Sequence, residues 1–145
     1  MLERKALDCN LVANALDRFR KILAASELEL PTYALLHTDF NQRNLFVNPA
    51  TKTIDGVVDW EDAVFGDPIY DFARIRMFLW HFALPETTTT AYYDHMQYSN
   101  EEKRREWLYW TARVIQYLAW YSEEDTAFNI SRIALHQDYL RAIQW

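Results

Sequence analysis

Asp39, Asn44 and Asp59 are the residues whose types and order could do chemistry. Asp39 and Asn44 stand five apart in the polar run His37-Thr38-Asp39-Phe40-Asn41-Gln42-Arg43-Asn44, and Asp59 closes the extended candidate Ile54 through Val58. Asp, Asn and His are poor strand and helix formers, so a cluster of them at a strand edge would be wasteful in a purely structural hairpin. Two carboxylates and an amide oxygen brought together would form a hard, oxygen-rich site suited to Mg²⁺. Phosphoryl transfer uses such a set: one carboxylate orients and deprotonates an attacking hydroxyl, and oxygen ligands hold metal on the phosphates. Taken singly, each residue reads more readily as a turn or cap residue. Their joint order and spacing point to a site.

That convergence requires a hairpin to carry Asp59 back toward Asp39 and Asn44. Leu45-Phe46-Val47 and Ile54 through Val58 are the two extended candidates, joined by the turn-rich Asn48-Pro49-Ala50-Thr51-Lys52. Ahead of them, Leu7, Leu11, Val12, Ala15, Phe19, Ile22 and Leu23 recur at helical spacing, Pro31 closes that pattern, and the apolar run Tyr33 to Leu36 leads into the polar cluster. Gly66-Asp67-Pro68 predicts a helix start with Asp67 as N-cap and Pro68 at the first helical position, running to about Ala83. Pro85 and the Thr87 to Thr90 run break it. Ser99 with Glu102 predicts a capping box for a helix through Tyr121, and Ser122 with Asp125 a looser cap for a last helix carrying Phe128, Ile130, Ile133 and Leu140. Trp80, Trp107, Trp110, Tyr117, Trp120 and Tyr121 fall at helical spacings and read mostly as core. The expected fold class is mainly α with a small β-hairpin, in a single domain over residues 1–145.

Composition limits the function classes. Gly56 and Gly66 are the only glycines, so a glycine-rich phosphate-cradling loop is excluded and any nucleotide site is incomplete or built otherwise. A net charge of -6 argues against a nucleic-acid partner and is compatible with a cationic small molecule. The single Cys9 excludes an internal disulfide and a cysteine-built metal cage. The first thirty residues show no signal-peptide core, and the apolar stretch Met77 to Leu84 is interrupted by His81 and too short to span a bilayer. These features lead to the expectation of a soluble cytoplasmic protein with no membrane partner.

The motifs carry a resemblance. His37 through Asn44 resembles the H-G-D-x-x-x-x-N catalytic loop of the aminoglycoside phosphotransferase and choline kinase family, relatives of protein kinases. Val57-Val58-Asp59-Trp60-Glu61-Asp62-Ala63 resembles its I-D-W-x-x-A segment, and Gly66-Asp67-Pro68-Ile69-Tyr70-Asp71-Phe72-Ala73 its G-D-P-x-x-D-L-A signature. The stretch from Asp59 to Asp67 is especially similar to hygromycin-type phosphotransferases. The resemblance implies the C-terminal lobe of a protein-kinase-like fold, with a catalytic loop and hairpin over 33–60 and a helical substrate-binding part over 67–145.

By the resemblance, Asp39 would be the catalytic base or hydroxyl-orienting group. Asn44 and Asp59 would bind Mg²⁺ bridging the phosphates of ATP. His37, Asp67 and Asp71 would support the site structurally, Asp71 by tying the catalytic loop down. Thr38 stands where the family usually has glycine. A β-branched residue resists positive φ, so an ordinary backbone conformation is expected there. Arg43 reads equally as a phosphate contact or a local ion pair. Glu61, Asp62, Glu123, Glu124 and Asp125 are acidic candidates for a cationic hydroxyl acceptor. The implied function is ATP-dependent phosphorylation of a hydroxyl on an aminoglycoside-like, choline-like, sugar or amino alcohol molecule. The family's N-terminal nucleotide-binding lobe is missing from these residues, so the chain by itself is expected to have negligible kinase activity. The alternative is a non-catalytic binding or interaction module derived from that lobe. A metal-dependent hydrolase is disfavoured by the lack of further His or carboxylate ligands around the hairpin.

Overall fold

In a computed structural model, residues 7–26, 32–83, 90, 95, 97–123 and 126–144 are described. The chain resolves into two compact units, one formed by residues 1–27 and 111–145, the other by 28–110.

In the first unit, α1 (Cys9–Ala25) starts where Asp8 accepts the Leu11 amide at 3.0 Å, which satisfies one of the orphan donors of the first turn. Its buried positions, Ala15 and Phe19, lie one turn apart on one face. That face meets the last helix, α4 (Ala127–Ala142), and Asp8 N–H donates to Gln137 Oε1 at 2.7 Å. On α4 the buried residues Ile133, His136, Gln137 and Leu140 follow a helical stripe. The expected cap falls elsewhere: Thr126, not Ser122 with Asp125, accepts the Asn129 amide at 3.0 Å. Both hydroxyl residues have cap chemistry, and the start that sets this stripe inward selects Thr126. Glu124 and Asp125 lie outside the described residues.

His136 is fully buried against the rings of Tyr117 and Tyr121, with Nδ1 2.7 Å from the Arg132 carbonyl oxygen. Burial pushes its imidazole down to about 4 from an ordinary value of 6.5. Above pH 6.5 the ring is neutral folded or unfolded; between pH 6.5 and 4 only the unfolded chain takes up the proton. Stability is therefore expected to fall by about 3 kcal/mol across that window. Urea melts at pH 7 and pH 4 should show the loss, and His136→Phe should flatten it.

The second unit holds all the described strands. β1 (Ala34–Leu36) pairs antiparallel with β4 (Val64–Gly66), and β2 (Leu45–Val47) with β3 (Ile54–Val57). The β2–β3 hairpin is the one expected, with Leu45 opposite Val57 and a bulge at Phe46/Val47. The β1–β4 pair was not expected, because its strands are far apart in sequence and no short turn joins them. A Cβ at Gly66 would come within 2.9 Å of Leu36 Cδ1, so the Leu36 side chain would have to shift to admit one.

Helix α2 (Ile69–His81) follows, and its buried Ile69 and Phe72 pack with Tyr98, flanked by Ile75 and Tyr109. Helix α3 (Asn100–Tyr121) opens on the expected capping box: Ser99 N–H donates to Glu102 Oε2 at 2.8 Å and Glu102 N–H to Ser99 Oγ at 3.2 Å. The Ser99 backbone donor holds the Glu102 carboxyl below its usual range. Trp110 and Tyr121 are core residues as expected, whereas Trp120 is 58% exposed and is not. Among the described residues, no helix is long and apolar enough to cross a membrane.

Candidate active site

Helix α2 suspends the polar loop from its single acidic residue. Asp71 lies in its first turn, and its two carboxylate oxygens accept the His37 amide at 2.7 Å and the Thr38 amide at 2.8 Å. Charge-assisted bonds to two successive amides fix the backbone immediately before Asp39. Thr38 Oγ1 also donates to the Asp62 carbonyl at 3.1 Å.

The expectation for Thr38 is overturned. Its φ is 65°, in the left-handed region that a β-branched residue avoids. Bonds at its amide, carbonyl and hydroxyl outweigh the local preference, as happens where surrounding structure over-determines a strained residue.

Beyond Thr38 the loop turns through a short 3₁₀ segment, Gln42–Asn44, capped by Asn41. The Asn44 side-chain amide donates to the Asp39 carbonyl at 3.0 Å and is 3.4 Å from Asp39 Oδ2; the Asn41 amide reaches the same two oxygens at 2.8 and 3.1 Å. Both partners of Asn44 are acceptors, so its NH₂ faces Asp39 and its Oδ1 remains for another group. Asn44 is buried while the Asp39 side chain is 46% exposed, so the carboxylate is open to a ligand.

The hairpin returns the chain next to this loop. Val58, the residue before Asp59, donates its amide to the Asn44 carbonyl at 3.0 Å, and its own carbonyl lies 2.7 Å from His37 Nε2. The carbonyl can only accept, which selects the tautomer with the proton on Nε2. The Trp60 ring lies 4.7 Å from the buried His37 ring. Asp59 itself is exposed at φ 69°, and its carboxylate makes no hydrogen bond or ion pair with the described residues.

The donor set suits a cation that keeps most of its own shell. Asn44 Oδ1 and the Asp59 carboxylate are hard oxygens, and among the described residues no three His, Cys, Asp or Glu side chains are grouped to hold a metal alone. Mg²⁺ is commonly bound by one or two protein oxygens plus phosphates and water, so the residues fit it. Glu61 and Asp62 are exposed beyond β3, and Asp62 adjoins Thr38 through its carbonyl. Glu123 is exposed at the end of α3, in the other unit.

Contrary to expectation, Asp67 is not the helix N-cap and Pro68 is not the first helical residue: the helix boundary lies one residue later. The helix cap position falls on Pro68, and Asp67 Oδ1 accepts the Ile69 amide at 3.1 Å. Its Oδ2 takes a buried ion pair from Arg105 Nε at 2.7 Å and faces Tyr109 Oη at 3.3 Å. Burial first, then the Asp67 charge, raises the Tyr109 phenol to about 12. Sequence reasoning missed both arginines of the site, Arg74 and Arg105. The acidic partner was visible in each case, but nothing local marks which arginine on a later helix meets it.

The model of the phosphotransferase enzyme family matches residues 2–108. Two solved structures of thermostable mutants of the aminoglycoside phosphotransferase APH(4)-Ia are similar in fold. The apo form superposes at a TM-score of 0.61 with 24% identity over 93% of this chain. A ternary complex with AMP-PNP and hygromycin B gives 0.60 with 23% identity over 94%. The chain spans 45% of the length of each. A search of curated proteins found no match.

Proposed function

Because the chain belongs to the phosphotransferase enzyme family, we propose that it forms the catalytic and acceptor-binding lobe, a single domain, of an ATP-dependent kinase acting on a hydroxyl of a small molecule. The observation that carries this reading is the meeting of three segments. The Asn44 amide rests on Asp39, and the backbone leading into Asp59 is bonded to Asn44 and His37. Asp39 would accept a hydrogen bond from the acceptor hydroxyl and take its proton. Asn44 Oδ1 and Asp59 would hold Mg²⁺, which when bound neutralises charge on the phosphates of ATP. His37 and Asp71 hold the loop, and Asp67 anchors the start of α2.

Acceptors with amino groups are favoured by the exposed carboxylates of Glu61 and Asp62 close to the loop and by the net charge of -6. Hygromycin B bound by the related enzyme is a sensible first acceptor to try. The chain lacks a glycine-rich loop and spans under half of its structural relatives, which supports a nucleotide site completed by a second lobe.

The test is transfer of ³²P from ATP to hygromycin B, other aminoglycosides and choline, with Mg²⁺ present. The 145-residue chain alone is expected to show no turnover above background, and a protein carrying an amino-terminal nucleotide-binding lobe ahead of it to phosphorylate at least one acceptor. Turnover by the chain alone would refute the incomplete site. Failure of the two-lobed protein on every hydroxyl acceptor would leave the non-catalytic binding module as the better reading.

A further inference from the structure

Arg74 lies one helical turn beyond Asp71 on α2, so both side chains leave the same helix face. Asp71 receives hydrogen bonds from the loop, and Arg74 returns them. Its Nε donates to the Thr38 carbonyl at 3.0 Å and its Nη2 pairs with Asp39 Oδ1 at 2.5 Å. We propose that Arg74 is a positioning residue for phosphoryl transfer, which fixes the direction of the Asp39 carboxylate and, through it, the amide of Asn44. The proposal rests on the reading of Asp39 as the group that orients the acceptor hydroxyl.

The geometry carries the argument in three steps. One planar guanidinium bonds both the backbone before Asp39 and the Asp39 side chain, so the carboxylate is held relative to its own main chain. The Arg74 side chain is 12% exposed and that of Asp39 46%, so the guanidinium is mostly covered while the carboxylate it holds stays reachable from solvent. Oδ2 receives contacts from Asn41 at 3.1 Å and Asn44 at 3.4 Å, and a carboxylate with about four acceptor sites keeps room for a hydroxyl beside these and the Arg74 bond. A turn of the Asp39 carboxylate would remove the 3.4 Å contact of the Asn44 amide and leave it on the Asp39 carbonyl alone at 3.0 Å, which loosens the side chain whose oxygen would hold the cation. Arg74 thus couples the hydroxyl-orienting group to a metal ligand. Lysine is a point donor and could keep the ion pair without holding the Thr38 carbonyl as well.

The deciding measurement is NMR on the 145-residue chain, which needs no turnover. In Arg74→Met the side-chain NH₂ signals of Asn41 and Asn44 should shift and broaden, and the amides from Asp39 to Asn44 should enter microsecond-to-millisecond exchange. The His37 and Thr38 amides, held by Asp71, should stay protected, and the melting temperature should fall by no more than about 4 °C. Arg74→Lys should broaden the same signals to a lesser degree, and it decides the matter if Arg74→Met does not fold. Unchanged Asn41 and Asn44 signals overturn the proposal, as does a uniform loss of dispersion in both variants.

Kinetics on the two-lobed protein separate this from the functional reading. With Arg74→Met, kcat should drop about 10- to 100-fold with acceptor KM within about twofold. A wild type that transfers no phosphate yet shows the NMR signature rejects the kinase and leaves the clamp. A transferring wild type whose Asn signals ignore Arg74→Met rejects the clamp and leaves the kinase.

Discussion

Asp39→Asn is expected to lower kcat for phosphoryl transfer about 10³-fold in the two-lobed protein, the middle of the range for loss of a positioned general base. The amide keeps an oxygen for Arg74 but turns an NH₂ toward the amides of Asn41 and Asn44, where the carboxylate oxygen had accepted their hydrogen bonds. It offers no site for the acceptor proton. Binding of ATP should hardly change, because the proposed site assigns Asp39 to the acceptor hydroxyl and not to the nucleotide, so KM for ATP should stay within about twofold. Stability should change little as well: the Arg74–Asp39 pair is partly open to solvent, and such pairs contribute at most about 1 kcal/mol. Steady-state kinetics beside a thermal melt checks both halves. Wild-type kcat in a folded Asp39→Asn protein removes Asp39 from the mechanism.

The largest expected effect on stability comes from the buried pair behind the site. Arg105→Met should destabilise the fold by about 3–5 kcal/mol, because it strands the Asp67 carboxylate away from water. The Ile69 amide at 3.1 Å and the Tyr109 hydroxyl at 3.3 Å remain, but neither supplies a compensating charge. For a chain of this size the melting temperature should drop by roughly 10 °C or more. Combining Arg105→Met with Asp67→Asn should recover much of the loss, since a neutral amide can keep the Ile69 bond without a buried charge. A double-mutant cycle followed by urea melts measures the coupling. Additive losses would show that the pair contributes only as two separate packing residues.

The two experiments divide the polar signature by what each residue touches. Asp39 meets the open edge of the loop, whereas Asp67 faces inward to Arg105. Both are aspartates in polar sequence contexts, and it is their burial that tells them apart.

What could be read from residues alone was whatever depends on neighbours a few positions away. The Ser99–Glu102 capping box, the face of α1 and the Leu45–Val57 hairpin were legible because turn chemistry and periodicity are local. The order of Asp39, Asn44 and Asp59 was legible for the same reason: one hairpin suffices to bring their segments together. Tertiary contacts decided the rest. Arg74 reaches Asp39 across 35 positions and Arg105 reaches Asp67 across 38, distances over which no propensity or motif spacing carries information. Thr38 is the sharpest case. Its side chain argues against a left-handed backbone, yet Asp71, Arg74 and the Asp62 carbonyl together hold it there. Local preference amounts to about 1–2 kcal/mol at such a residue, and several hydrogen bonds from elements packed around it exceed that.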